Sequence, residues 1–222
     1  MIKACLFDLD GTILDTLTTI AHFGNEALKK FGIETIDREE YKYLAGSGAK
    51  KLVERMLRFR GAYTEETFCR VYEYYVSIYD ANPTYLTEVF DGIEELLGFL
   101  KKENIAVGVI TNKPDFAAKS VCREKFAKGL IDAVQGQTED IPIKPAPDGA
   151  LMLLGEFGVT GEQTIYVGDT SVDMQTGKKL GAYTVGVLWG FRGEKELTDS
   201  GADKIVSHPD EIIDIVNKLK NF

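Results

Sequence analysis

The chain has 222 residues, 44% of them hydrophobic, with a formal net charge of -9 and a pI near 4.9. That length can bury the core of one domain or two, and the acidic balance excludes the basic footprint of a nucleic-acid surface. No apolar run reaches transmembrane length, and Asp8 and Asp10 cut the N-terminal apolar stretch too early for a secretory signal. Cys5, Cys69 and Cys122 are scattered without metal-ligand spacing. All three are expected to pack as small hydrophobes in a reducing, cytoplasmic compartment.

Ile2-Lys3-Ala4-Cys5-Leu6-Phe7 is a short apolar run of the length of a buried strand. It should end near Leu9, where Asp and Gly lower strand propensity. Asp8 and Asp10, two apart, then leave the sheet on the same side of the chain. Two carboxylates so close repel unless a cation or a proton intervenes. A turn explains Asp10-Gly11, but not Asp8, which is still inside the strand.

From Asp15 to about Asn82 the pattern is helical. Leu17, Ile20, Ala21, Ala27, Leu28 and Phe31 share one helix face before Gly32, and two further runs follow, Leu52 to Leu57 and Phe68 to Tyr79. After Pro83 the texture alternates. Helix Gly92–Lys102 leads to the strand "IAVGVI", and a helix at Asp115–Phe126 leads to "DAVQG". Asp148–Phe157 leads to "TIYVGD", and Val172–Leu180 to "YTVGVL". Strands alternating with helices indicate an α/β core with a parallel sheet covered on both faces. The expected domains are a core of residues 1–14 and 83–222 and a helical insert of residues 15–82.

Ligands of such sheets bind beyond the carboxyl ends of the strands. Those ends carry Asp8 and Asp10, then Thr111, Asn112 and Lys113, then Asp169 and Asp173, with Lys144 in "IPIKPAPD". Taken singly, each has a plain reading. Asp173 can complement a helix dipole, Lys144 can be loop punctuation, and Thr111-Asn112 can be a cap. Lys113, Asp15, His22 and His208 read as structural or surface residues. Taken together, carboxylates, a hydroxyl and a lysine at the ends of one sheet fit Mg²⁺-dependent phosphoryl transfer. A carboxylate there can accept the phosphoryl group as an aspartyl-phosphate.

In these motifs the chain resembles the haloacid dehalogenase superfamily over its whole length. "DLDGTILD" is similar to its first motif, "TN" to its second, the lysine of "KPAPD" to its third and "GDTSVD" to its fourth. The resemblance implies a Rossmann-like core with an all-helical cap inserted after the first motif. It implies that Asp8 is the nucleophile and Asp10 the general acid and base. Thr111 and Lys144, with Asn112 alongside, would bind the phosphate ester. Asp8, the Asp10 carbonyl and Asp169 would hold Mg²⁺, with Asp173 supporting them. Asp10 stands where P-type ATPases carry threonine, and the cap histidine of the sugar-phosphate mutases, near Ile20, is absent; both favour a hydrolase.

"LAGSGAKKL", "TNKP" and "WGFR" resemble the phosphoglycolate phosphatases. Gly46, Ser47 and Gly48 would then form a substrate loop, with a plain helix–helix turn as the alternative. The expected substrate is a small phosphorylated metabolite, 2-phosphoglycolate first, with pyrophosphate or a sugar phosphate as alternatives. A monomer or homodimer is expected, with neither nucleic-acid nor membrane partners. Two other classes remain at this stage. A phospho-receiver domain also groups acids, a Thr and a Lys around Mg²⁺, but is shorter and lacks the helical insert and the Asp-x-Asp spacing. An inactive binding protein on the same fold would not need every motif intact.

Overall fold

Strand β1 (Ala4–Phe7) has no solvent exposure on any of its four side chains, because both its faces and both its edges are covered. The computed structural model describes residues 1–220, and it divides into two units. One joins Met1–Asp15 to the chain from Glu88 onward, and the other is Thr16–Thr87.

In the first unit, β2 (Leu14–Asp15) and β3 (Glu88–Val89) pair as a short antiparallel ribbon. The sheet is completed by β4 (Ala106–Pro114), β5 (Ala133–Gln137), β6 (Thr164–Gly168), β7 (Tyr183–Val187) and β8 (Lys204–Val206). The six strands run parallel in the order β5-β4-β1-β6-β7-β8, so the chain builds outward from β1 on one side and then crosses to the other. The ends of β1, β4 and β6 therefore flank the point where the strand order reverses, the place for a ligand in such sheets.

Alternation along β1 sorts its side chains. Cys5 and Phe7 join the apolar layer under helices Ile93–Lys102, Asp115–Lys125 and Asp210–Lys220, while Leu6 joins the layer under Asp148–Phe157 and Ser171–Leu180. β1 ends at Phe7, two residues earlier than its composition suggests. The amide of Asp8 still reaches Val167 O at 2.9 Å, and the next residues fold into a turn in which Thr12, Ile13 and Leu14 all donate to Leu9 O.

In the second unit no residue lies in a strand. Its longer helices, α1 (Leu17–Lys30), α3 (Gly48–Phe59) and α4 (Glu65–Asp80), bury the periodic stripes read in the sequence: Leu17, Ile20, Ala27 and Leu28, then Leu52, Val53, Met56 and Leu57, then Val71, Tyr75 and Tyr79. The short α2 (Tyr41–Leu44) fits against α1 because Gly24 has no side chain; a Cβ there would stand 2.5 Å from the Tyr41 hydroxyl oxygen. Cysteine departs from expectation at one position. Cys5 and Cys122 are buried, but Cys69 lies exposed on the polar side of α4. Among the described residues no helix is long and apolar enough to cross a membrane.

Candidate active site

The four chemistry-bearing segments of the sheet meet around Lys144. Its Nζ donates to Asp8 Oδ1 at 2.6 Å, to Asp173 Oδ1 at 2.7 Å and to Ile110 O at 3.0 Å. An ammonium has three hydrogens, and all are used. Burial alone would push the Lys144 pKa down; Asp173 and Asp8 outweigh it and hold the group well above its ordinary value. The lysine is thus a fixed positive charge.

Asp8, Asp169 and Asp173 form the acidic side of the site, each offering an oxygen within 4.8 Å of the others. Burial lifts the Asp8 pKa to about 7; Lys144 opposes this, and Asp173 and Asp10 add to it. Asp169 is driven well above the usual carboxylate range by burial and by its two acidic neighbours. The donors of Asp169 are fixed on both sides: Thr12 Oγ1 donates to Oδ1 at 3.2 Å and the Phe191 amide to Oδ2 at 2.7 Å. Two close approaches make this possible. A Cβ on Gly11 would stand 2.4 Å from Asp169 Oδ2, and one on Gly190 would stand 2.3 Å from Asp169 Cβ. Trp189 closes the arrangement, donating Nε1–H to Thr12 O at 2.9 Å.

The plain and the chemical readings of Asp173 both hold. Thr170 caps the helix Ser171–Leu180, and Asp173 Oδ2 accepts from Thr170 N at 3.1 Å and Oγ1 at 2.6 Å in a capping box. Its Oδ1 remains for Lys144. Asn112, expected beside the substrate, spends its amide on the backbone of Lys144: Oδ1 accepts from Lys144 N at 2.8 Å and Nδ2 donates to Lys144 O at 3.3 Å. It positions the lysine. Thr111 is buried at the same strand end, its hydroxyl accepting from Lys113 N at 3.2 Å.

Asp10 stands apart from the three-carboxylate cluster and pairs with Lys113, at 3.0 Å to Oδ1 and 3.3 Å to Oδ2. Sequence reading took Lys113 for structural; its burial at 7% exposure and its bond to a candidate catalytic group make it part of the site. Gly46, Ser47 and Gly48 belong to the other unit. Gly46 and Gly48 take φ of 103° and 80°, the left-handed region that favours glycine, and Arg55 Nη2 donates to Ser47 Oγ at 3.1 Å.

The donor set fits a hard divalent cation. Four carboxylates (Asp8, Asp10, Asp169, Asp173) face two ammonium groups (Lys113, Lys144), so a cation of charge two would leave the ionised site neutral. With no cation beside them, burial and the repulsion of neighbouring carboxylates favour the protonated forms and drive Asp8 and Asp169 upward.

Comparison with known proteins points the same way. The profile of the haloacid dehalogenase-like hydrolases matches residues 5–187. The N-acetylmuramic acid 6-phosphate phosphatase of Pseudomonas aeruginosa is 27% identical over 218 residues, 98% of this chain and 96% of that protein. A phosphoglycolate phosphatase of Cereibacter sphaeroides is 30% identical over 215 residues, 96% of this chain and 97% of that protein. A crystal structure of a predicted phosphoglycolate phosphatase from Haemophilus somnus superposes with a TM-score of 0.89 at 25% identity, covering 97% of this chain and 98% of that one.

Proposed function

Because the chain belongs to the haloacid dehalogenase-like hydrolases and is a phosphoric monoester hydrolase, we propose that it is a Mg²⁺-dependent phosphatase of small metabolites that acts through phosphorylated Asp8. An oxygen of Asp8 attacks phosphorus, and the ester oxygen departs with a proton from Asp10. Asp10 then takes a proton from the water that attacks the aspartyl-phosphate, so one hard displacement becomes two easier ones. Lys144 acts on the transferring phosphoryl group as a fixed positive charge, Thr111 offers it a hydroxyl, and Asn112 fixes Lys144. Asp8, Asp169 and the carbonyl of Asp10 would hold Mg²⁺, with Asp173 behind them; bound there, the cation would supply charge neutralisation for a dianionic ester.

The observation that carries this reading is the buried contact of Lys144 with Asp8 and Asp173, beside an Asp169 pinned by Thr12 and Phe191. An idle binding fold has no need to hold a carboxylate so close to the point of losing its charge. 2-Phosphoglycolate is the first substrate of the proposal, on the strength of the phosphoglycolate phosphatases among the relatives. A sugar phosphate is the second reading, and the N-acetylmuramic acid 6-phosphate phosphatase favours it at similar identity. Choice among esters falls to the inserted unit, with Gly46, Ser47 and Gly48 the residues to vary.

The test is phosphate release from 2-phosphoglycolate, N-acetylmuramic acid 6-phosphate, pyrophosphate and p-nitrophenyl phosphate, with EDTA and with Mg²⁺ restored. Activity should vanish with EDTA and return with Mg²⁺. Full turnover in EDTA refutes the metal assignment, and the ranking of kcat/KM decides between the two substrates.

A further inference from the structure

We propose that Lys113 is a positioning residue for Asp10: its buried ammonium fixes the carboxylate that carries the proton. This rests on the reading of Asp10 as acid and base. Lys113 is 7% exposed, and its Nζ holds both oxygens of a side chain 103 positions away. Taking an ammonium out of water costs several kcal/mol unless a well-placed partner compensates. Asp10 itself is more open, with a fifth of its side-chain surface exposed against 4% for Lys113. The lysine is therefore the more deeply buried partner, and part of the Asp10 carboxylate remains open to solvent.

The strand end explains how this comes about. The register between β4 and β5 shifts between Ile110 and Pro114. Asn112 braces the backbone of Lys144, whose ammonium holds Asp8. Lys113 holds Asp10 directly. One short segment thus braces the ammonium that holds the proposed nucleophile and itself supplies the one that holds the proposed proton carrier.

A proton carrier works only within hydrogen-bond reach of its target. An aspartate has two side-chain torsions, and contact with both oxygens restricts both of them. Without it the carboxylate samples other rotamers, and productive geometry is reached in a smaller fraction of encounters. The effect belongs in kcat, in both half-reactions, and should leave substrate affinity alone.

The experiment compares Lys113→Met, Lys113→Arg, Asp10→Asn and the Asp10→Asn/Lys113→Met double variant, with steady-state kinetics on an alkyl phosphate and rapid-quench detection of phosphoenzyme. Lys113→Met should lower kcat about 10–100-fold, less than the ~10²–10⁴-fold worth of the proton carrier itself, with KM nearly unchanged. Lys113→Arg should recover most of this, since its planar fork also meets both oxygens. Lys113→Met should cost nothing further in the Asp10→Asn background. Should Lys113→Met not fold, Lys113→Gln, which keeps one donor, replaces it with an intermediate loss expected. A wild-type kcat in the folded Lys113 variant, a loss confined to KM, or full additivity with Asp10→Asn overturns the proposal. Full activity of Asp10→Asn instead overturns the reading of Asp10 on which it stands.

Discussion

Removing the Lys144 ammonium should destabilise the metal-free protein by an amount that grows with pH. In Lys144→Ala, Asp8 and Asp173 lose the cation that sits 2.6 and 2.7 Å from them, and Ile110 O loses a donor. Breaking a buried ion pair by deleting one partner costs about 3–5 kcal/mol. For a chain of this size each kcal/mol moves Tm by about 2–4 °C, so a fall of roughly 6–20 °C is expected near neutral pH. The sign of the pH dependence follows from Asp8. Its folded pKa, about 7, lies above its ordinary 3.8, so its contribution to stability is complete below the lower value and lost as pH rises through the higher. Without Lys144, which opposes that rise, the folded pKa climbs further and the loss continues above pH 7. The gap between wild type and variant should therefore be narrower at pH 5.5 than at pH 8.5, the part that remains at low pH coming from the lost contacts with Asp173 and Ile110 O. Melting followed by circular dichroism in EDTA reads both. A gap below about 1 kcal/mol at pH 8.5, or one independent of pH, refutes the placement of Lys144 as the counter-charge of Asp8.

Asp8→Asn keeps an acceptor for Lys144 and should retain the fold while phosphate release falls to background; persistent turnover would mean that water attacks phosphorus directly. Metal affinity, measured by calorimetry, should rise at least about tenfold from pH 6 to pH 8, because a cation must displace the proton from an Asp8 that titrates near 7. A flat profile would exclude Asp8 as a ligand. Trp189→Phe removes the indole bond to Thr12 O and should weaken metal binding about 10-fold through Asp169; a loss of thermal stability with unchanged metal affinity would make Trp189 a packing residue only.

Much of this site is legible in the sequence because its carboxylates stand at or just after strand ends and its lysine stands just ahead of a helix. Asp8, Asp169 and Asp173 follow strands and Lys144 precedes a helix in "IPIKPAPD", and the structure brings the four together. The helices at Asp148–Phe157 and Leu17–Lys30 were legible too, since each shows its apolar period. What escaped has a common cause. The support of Asp169 comes from the amide of Phe191, the missing side chains of Gly11 and Gly190, and an indole reaching back 177 positions. Backbone donors and absent atoms leave no residue-type signal. Lys113 escaped differently, because a lysine after a strand is ordinary until its partner is seen. β8 is only three residues, Lys204–Val206, too short for a period to appear.

The central place of β1 has a consequence for synthesis. It is made before either neighbour: Ala106 follows 102 residues after its partner Ala4, and Thr164 follows 160 after it. At about 5–20 residues per second, β1 waits roughly 5–20 s for one neighbour and 8–32 s for the other. Residues Thr16–Thr87 emerge in the interval and can complete their helices from contacts among themselves. During that time Ala4-Cys5-Leu6-Phe7 is an apolar segment with two bare edges, the kind that pairs with other chains. The proposed nucleophile, Asp8, leaves the ribosome well before Lys144 and Asp169 and must wait for both before its surroundings exist.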